Sequence, residues 1–97
     1  RALRVANMAQ KAGRICVPHS ANLALVLVFS LHMMGAIPNA GPHVEFTIES
    51  GPWWEGLYQP ALEVRDGRVA IPEGHGWGVT INPAWIEKAE YQESGLP

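Results

Sequence analysis

The chain has 97 residues, of which 47% are hydrophobic and only 16% are charged. Its net charge is −2 and its 7 Lys and Arg residues are scattered, so nothing indicates a nucleic-acid-binding surface. A free-standing domain of this size normally carries more charge, so we expect protein outside this chain to cover part of its surface. The chain begins at Arg1 rather than at a methionine, which also indicates a piece of a longer protein.

A helix and a strand are predicted at the start of the chain. Apolar residues at helical spacing predict an amphipathic helix over residues 1–12, and Gly13 is well suited to end it. A short strand is predicted over residues 14–17, and Pro18 ends it. The chain has one cysteine, Cys16, and so no internal disulfide, which fits a reducing compartment such as the cytoplasm.

The most apolar stretch of the chain comes next and predicts a mostly buried helix. Ser20 or Asn22 can cap this helix, which we expect to run over about residues 21–35, and Pro38 limits its extension. The stretch is shorter than the roughly 20 apolar residues of a membrane span, so we predict no membrane partner. A secretory signal peptide is the less favoured alternative, because a helix and a strand pattern precede the apolar stretch.

Local signals in the second half predict strands, a hairpin and a final helix. β-Branched and aromatic residues predict a strand over residues 43–48. The pair Asp66-Gly67 predicts a tight hairpin between residues 61–64 and 68–71. A Gly-rich loop follows, and Asn82-Pro83 predicts the start of a helix.

The chain divides into two parts by these predictions. Residues 1–50 carry the βα units, and residues 51–97 form a C-terminal tail with the hairpin, the Gly-rich loop and the final helix. We expect that helix to run to about Gln92. The spaced glycines of the loop over residues 73–78 are not a nucleotide-binding loop, because no helix opens directly after them.

Strand, helix and strand in this order predict a βαβ unit. We expect residues 14–17 and 43–46 to be adjacent parallel strands, with the intervening helix covering one face. Parallel sheets are buried on both faces and need more than two strands, so further strands must come from outside this chain. Ligands bind at the carboxyl ends of such strands, where His19 lies, and Glu45 lies within the second strand.

His19 and Glu45 are the first candidates for a functional site, and each has a structural alternative. The imidazole of His19 either transfers protons or merely caps the following helix. A carboxylate inside a parallel strand is unfavourable without a partner, so Glu45 is either functional or ion-paired. The Cys16-x-x-His19 spacing suits zinc, but the other histidines complete no ligand pattern, so we predict no metal site in this chain.

Aromatic residues and one further histidine complete the set of candidates. Trp53, Trp54 and Trp77 lie in predicted loops, where they either cover apolar surface or line a pocket. His32 lies inside the apolar helix and is expected to be a packed or capping ring.

Three stretches, in their order and spacing, are similar to one known family. They are VPHSANLALVLVFSLHMMGAIPNA, HVEF and DGRVAIPEGHGWGV. They resemble the seventh barrel strand with its histidine and following helix, the eighth strand with its glutamate, and the closing segment of the enolase superfamily. The branch is that of mandelate racemase and muconate lactonizing enzyme, with its acid-sugar dehydratases. The resemblance implies an α/β fold, in which this chain is the C-terminal fragment of a (β/α)-barrel plus a tail that packs on a capping domain.

The resemblance also implies a reaction. In this branch Mg²⁺ binds the substrate carboxylate and a base removes the neighbouring proton. His19 would be such a base, or the acid that protonates a departing hydroxyl. Glu45 would hydrogen-bond the substrate carboxylate or enediolate, with its pKa raised by burial beside an anion. We predict that Trp54 binds substrate together with these two residues. The segment WWEGLYQPA resembles acid-sugar dehydratases, so dehydration of a sugar acid by a lyase is favoured.

The remaining parts of the implied site would lie upstream of this chain. They are three metal-binding carboxylates, a lysine base and the aspartate that pairs with the histidine. We therefore expect the chain alone to have no metal site, no dyad and no activity. Its partners would be the sugar acid, the rest of the barrel and the capping domain, in a full-length homo-oligomer. A racemase or cycloisomerase of the same branch, a non-catalytic interaction module and a structural remnant stay open as alternatives.

Overall fold

The computed structural model describes residues 1–20, 22–49, 51–52 and 54–95. Within these ranges the chain forms three α-helices and four short strands. In chain order they are α1 (Ala2–Lys11), α2 (Leu25–Ala36), β1 (Tyr58–Gln59), β2 (Val64–Arg65), β3 (Arg68–Val69), β4 (Thr80–Ile81) and α3 (Pro83–Lys88). The predictions made for Ala21 and Trp53 fall outside the described residues.

Helix α1 confirms the first predicted element. It ends at Lys11, and Gly13 follows with a φ of +65°, a left-handed conformation that glycine adopts without strain. Ala6 is fully buried, whereas Leu3 and Met8 are more than half exposed. The apolar side of α1 is therefore only partly covered by the described part of the chain.

Helix α2 supplies most of the buried core. It begins later than predicted, at Leu25, and the side chain of Asn22 accepts a hydrogen bond from the Ala24 amide just before it. Leu27 and Val28 are fully buried within it. Ser30, a polar residue of the same helix, is also buried. None of the helices in the described ranges combines the length and the apolar character that a membrane crossing requires.

The predicted pair of parallel strands is reduced to one parallel bridge. It joins Cys16 to Ala40, with the Cys16 amide donating to the Asn39 carbonyl and the Gly41 amide donating to the Cys16 carbonyl. The predicted parallel direction is right, but pairing with residues 43–46 is wrong, because those residues form no regular strand. A two-stranded parallel ladder is weak without neighbours on either side, and the described residues supply none.

The hairpin at Asp66-Gly67 is confirmed. Strands β2 and β3 pair antiparallel, with Val64 opposite Val69. Both turn residues have positive φ, 51° for Asp66 and 70° for Gly67, as this tight hairpin turn requires. The paired strands are two residues long, which is shorter than predicted.

A second antiparallel pair was not predicted. Strand β1 pairs with β4, and Tyr58 lies opposite Ile81. Helix α3 starts directly after this pair as predicted, because the Asn82 side chain accepts a hydrogen bond from the Ala84 amide. It ends at Lys88 rather than near Gln92. None of its described residues is buried, so no packing supports a longer helix.

The Gly-rich loop is attached to α2 by one tryptophan. The rings of Trp77 and Phe29 have centroids 4.6 Å apart, and His32 meets the same indole edge-on at 5.3 Å. Nε2 of His32 also donates to the Trp77 carbonyl over 2.9 Å. His32 is therefore a packed ring as predicted, and Trp77 covers apolar surface of the helix.

Candidate active site

The structure brings His19 and Glu45 into direct contact. Nδ1 of His19 and Oε2 of Glu45 are 2.6 Å apart, although 26 positions separate the residues in sequence. The backbone amide of Ser20 donates to the same carboxylate oxygen over 2.8 Å. Two consecutive residues just after Pro18 therefore hold one oxygen of a carboxylate on a distant segment.

The electrostatics of this contact differ from the prediction. The hydrogen bond from the Ser20 amide, followed by that from His19, holds the pKa of Glu45 below its ordinary value of 4.5. The resemblance implied a raised pKa, from burial in a strand beside an anionic substrate. The burial is not present in this chain, because the Glu45 side chain is 53% exposed and accepts two hydrogen bonds. The effect of the substrate stays a prediction.

The ionised carboxylate decides how the histidine ring is used. A carboxylate can only accept hydrogen bonds, so Nδ1 of His19 carries the proton in this contact. The other ring nitrogen, Nε2, accepts or donates no hydrogen bond within the described residues, and the side chain is 79% exposed. Because an ion pair this exposed adds little stability, its effect is to orient the ring and fix its tautomer.

The contact pairs His19 with a carboxylate of this chain itself. The resemblance implies a different partner for the histidine, an aspartate upstream of the chain, and that expectation stays a prediction. The sequence did not indicate the third member, Ser20, because its contribution comes from a backbone amide that nearly every residue type provides. The role of Ser20 is visible only in the structure, where its amide donates to Glu45.

Trp54 lies in a cleft that does not include this pair. The cleft has a volume of about 350 Å³, and Leu23, Thr47 and Tyr58 also line it. Trp54 packs on Gly51, where a Cβ atom would come within 2.7 Å of the indole ring. His19 and Glu45 are not part of the lining. The predicted role of Trp54 in substrate binding stays a prediction.

Tyr58 is a wall residue of this cleft that sequence reasoning missed. Its hydroxyl donates to the Leu23 carbonyl over 2.7 Å, and the side chain is buried. Burial raises its pKa, so the hydroxyl stays protonated and keeps donating. A tyrosine amid apolar residues, two positions before a proline, is the weak signal that the sequence offers.

The described residues do not form a ligand set for a metal ion. No group of three or more His, Cys, Asp or Glu side chains gathers among them. The carboxylate of Glu45 is already bound by His19 and Ser20, and Cys16 is a free thiol at the parallel bridge. The residues in hand thus do not fit Mg²⁺ on their own.

Comparison with known sequences identifies two relatives, and each is a dehydratase. The chain is 34% identical over 80 residues to the L-talarate/galactarate dehydratase of Salmonella typhimurium, covering 82% of this chain and 18% of that protein. It is 23% identical over 86 residues to the arabinonate dehydratase of Saccharolobus solfataricus, covering 89% and 22%. The chain spans about a fifth of the length of these curated relatives.

Solved structures of two further proteins also match most of this chain. A proposed racemase from Roseobacter denitrificans matches with a TM-score of 0.86 and 44% identity, covering 97% of this chain and 27% of that one. An enolase of the mandelate racemase subgroup from Agrobacterium tumefaciens matches with a TM-score of 0.70 and 26% identity, covering 88% and 23%. These matches confirm the predicted α/β fold class.

The family itself follows from a match along most of the chain. Residues 1–85 match the model of the enolase C-terminal domain-like family. This range contains His19, Glu45 and Trp54, and it includes every quoted stretch that carried the resemblance. The chain therefore belongs to the enolase C-terminal domain-like family, in the mandelate racemase and muconate lactonizing enzyme branch of the enolase superfamily.

Proposed function

We propose that this chain supplies part of the active site of a lyase that dehydrates sugar acids, with His19 transferring a proton. The observation that carries the proposal is the contact between His19 and Glu45, which orients the ring and leaves Nε2 available. The names of both curated relatives support it, because each is a dehydratase that acts on a sugar acid. Family membership alone would leave the reaction type open.

Dehydration of a sugar acid breaks two bonds in the substrate. The C–H bond next to the carboxylate breaks, its proton passes to a base, and the electron pair enters an enediolate. The C–O bond of the next carbon then breaks, and the hydroxyl leaves as water after taking a proton from an acid. The enol that remains tautomerises to a 2-keto-3-deoxy acid. Neutralisation of the enediolate charge would come from Mg²⁺ bound by residues outside this chain.

His19 suits either proton transfer through its Nε2 atom. In the neutral ring Nε2 accepts a proton from carbon, and in the protonated ring it donates one to the departing hydroxyl. The Glu45 carboxylate fixes the tautomer of the neutral ring in the first case. It also stabilises the imidazolium, which forms in the first case and donates in the second. A positioned acid or base of this kind contributes about 10² to 10⁴ in rate.

Glu45 has a second oxygen that this arrangement leaves available. Oε1 accepts no hydrogen bond within the described residues, while Oε2 accepts two. A substrate hydroxyl can donate to it. A substrate carboxylate has no hydrogen to donate and could pair with Glu45 only if Glu45 were protonated and donated its own. Because its pKa is lowered, we favour a hydroxyl as the substrate group that Glu45 contacts.

The test uses the full-length protein with Mg²⁺ and a panel of sugar acids. We expect His19→Asn to keep the fold and to lower the rate of water loss by about 10² to 10⁴. His75→Asn is the matched control, since this histidine lies in the exposed Gly-rich loop. A folded His19→Asn enzyme that dehydrates its best substrate at the parent rate would refute the assignment.

A racemase is the second candidate, and one observation favours it. The proposed racemase from Roseobacter denitrificans is 44% identical over nearly the whole chain, which is more than either curated dehydratase. Both reactions begin with removal of the same proton, so deuterium uptake from D₂O does not separate them. Formation of a keto acid indicates dehydration, whereas inversion at the carbon next to the carboxylate, without a keto acid, indicates racemisation.

We further expect the full-length enzyme to be cytoplasmic and homo-oligomeric. The single cysteine and the family resemblance motivate these expectations. Cell fractionation and light scattering of the full-length protein check them.

A further inference from the structure

The cleft that contains Trp54 is lined in part by residues that closely follow His19 and Glu45 in sequence. Thr47 follows Glu45 by two residues, so their backbones lie within about 7 Å of each other. On the other side, Leu23 follows His19 by four residues, and the Tyr58 hydroxyl holds its carbonyl. The lining of the cleft therefore begins two residues after Glu45 and four residues after His19 along the chain.

The lining of the cleft has an aromatic face and negative charge. Trp54 supplies the ring, and Glu49 and Glu55 supply carboxylates. Oε1 of Glu55 accepts the Gly51 amide over 3.2 Å, which fixes the loop that presents it. No lysine, arginine or histidine occurs among the described lining residues, and neither carboxylate forms an ion pair within the described part of the chain.

These groups favour one kind of sugar acid over another. The C–H face of a polyol chain packs on an indole ring, and its hydroxyls donate hydrogen bonds to carboxylates. A second carboxylate at the distal end would instead meet two like charges in a partly enclosed site. We propose that the cleft receives the uncharged, hydroxylated end of a monocarboxylic sugar acid, and that Glu49 and Glu55 exclude dicarboxylic sugar acids. This inference rests on the proposed function.

The test compares acids that differ only at the distal end. Galactonate and galactarate share the configuration of their carbon chain and differ in a terminal CH₂OH or carboxylate, and further aldonate–aldarate pairs of equal configuration extend the set. For the full-length parent enzyme we expect kcat/KM to favour the monocarboxylate by about tenfold or more. Glu49→Gln and Glu55→Gln should each raise the relative kcat/KM of the dicarboxylate several-fold, because glutamine keeps an acceptor oxygen but removes the charge.

Glu63→Gln is the matched control, since Glu63 is an exposed carboxylate paired with Arg65 outside this cleft, and it should leave the ratio unchanged. A parent enzyme that prefers dicarboxylates, or a ratio that neither cleft variant shifts, overturns the inference while the dehydratase function stands. If neither acid of any pair is dehydrated, the proposed function fails. Calorimetry then measures the affinities of the paired acids for the parent and the variants. Tighter binding of the monocarboxylate by the parent, with a ratio that Glu49→Gln or Glu55→Gln shifts towards the dicarboxylate, supports the charge selectivity, and any other result overturns it.

Discussion

Ser20 and His19 hold Glu45 as an ionised carboxylate, and this gives the fold a pH dependence of definite sign. Because the pKa of Glu45 is lowered in the folded protein, the unfolded chain binds a proton on this carboxyl more readily than the folded one. The stabilisation from this group is complete above the ordinary pKa of 4.5. It is lost as the pH falls through the lowered value.

We expect the full-length Glu45→Gln variant to be less stable than the parent near neutral pH. The difference in free energy of unfolding should shrink as the pH falls below about 4.5, where the unfolded parent begins to bind a proton on this carboxyl. It should vanish below the lowered pKa, where the folded parent carboxyl is neutral too. Urea unfolding at a series of pH values measures this difference. In a His19→Asn variant the pKa of Glu45 should still be lowered in part, because the hydrogen bond from the Ser20 amide is the larger cause of the lowering. Part of the pH-dependent stability should therefore remain in that variant. A difference that is constant over the acidic range contradicts the prediction.

At the scale of single residues, sequence reasoning found the ionisable groups but not their geometry. His19 and Glu45 stand out because charged groups at a strand end or inside a strand are unusual. Their contact and the lowered pKa depend on a backbone amide of Ser20 that carries no side-chain signal. The raised pKa was predicted from burial, and the actual exposure is a property of tertiary structure.

Among the elements, the Gly-rich loop offers a controlled comparison of two glycines with nearly equal backbone conformation. Gly76 has a φ of +60° and open space around its Cβ position. Gly78 has a φ of +70°, and a Cβ there would lie 2.6 Å from the Pro72 carbonyl carbon. An alanine at either position is strained by its positive φ, but only alanine at position 78 also collides with backbone.

We expect Gly76→Ala to cost about 1–2 kcal/mol and Gly78→Ala clearly more. Thermal or urea unfolding of the full-length variants provides the free energies, and hydrogen exchange over residues 73–78 shows whether the loop leaves α2. The difference between the two variants isolates the steric term, because the conformational term is nearly the same. Equal losses would show that the Pro72 contact does not constrain the loop.

Elements with local signals were predicted well, and those that depend on distant partners were not. The ends of α1, the Asp66-Gly67 turn and the start of α3 follow from glycine, turn and capping residues. The pairing of β1 with β4 joins segments that are more than twenty positions apart and only two residues long, so no periodicity could indicate it. The prediction of a pair of regular parallel strands was wrong for a related reason, since such strands need neighbouring strands to be regular.

At the scale of the whole molecule, several large apolar side chains in the described part of the chain remain exposed. Leu3, Val5 and Met8 on α1 are each more than half exposed, and Ile15 on the following segment is 66% exposed. The chain spans about a fifth of its curated relatives, and low charge with abundant apolar residues had predicted such uncovered surface. We expect the rest of the longer protein to cover it.

The predicted division into residues 1–50 and a tail over 51–97 leads to the last prediction. The short strands of the tail pair only with one another. The tail contacts the rest through the packing of Trp77 on Phe29 and through the Tyr58 hydroxyl, which donates to the Leu23 carbonyl. Helix α2, by contrast, contains the fully buried Leu27 and Val28. Few buried contacts mean a small free energy of local opening, so amide exchange should be fast in such a segment.

In a polypeptide of residues 1–97 alone, we therefore expect hydrogen exchange to be faster over residues 60–81 than over α2. In the full-length protein the same tail should become protected, because we predict that it packs on the capping domain. The comparison of the two proteins separates intrinsic weakness of the tail from the effect of its partner. Equal and strong protection of tail and helix in the short polypeptide would instead indicate an autonomous domain, and it would count against the predicted dependence on a capping domain.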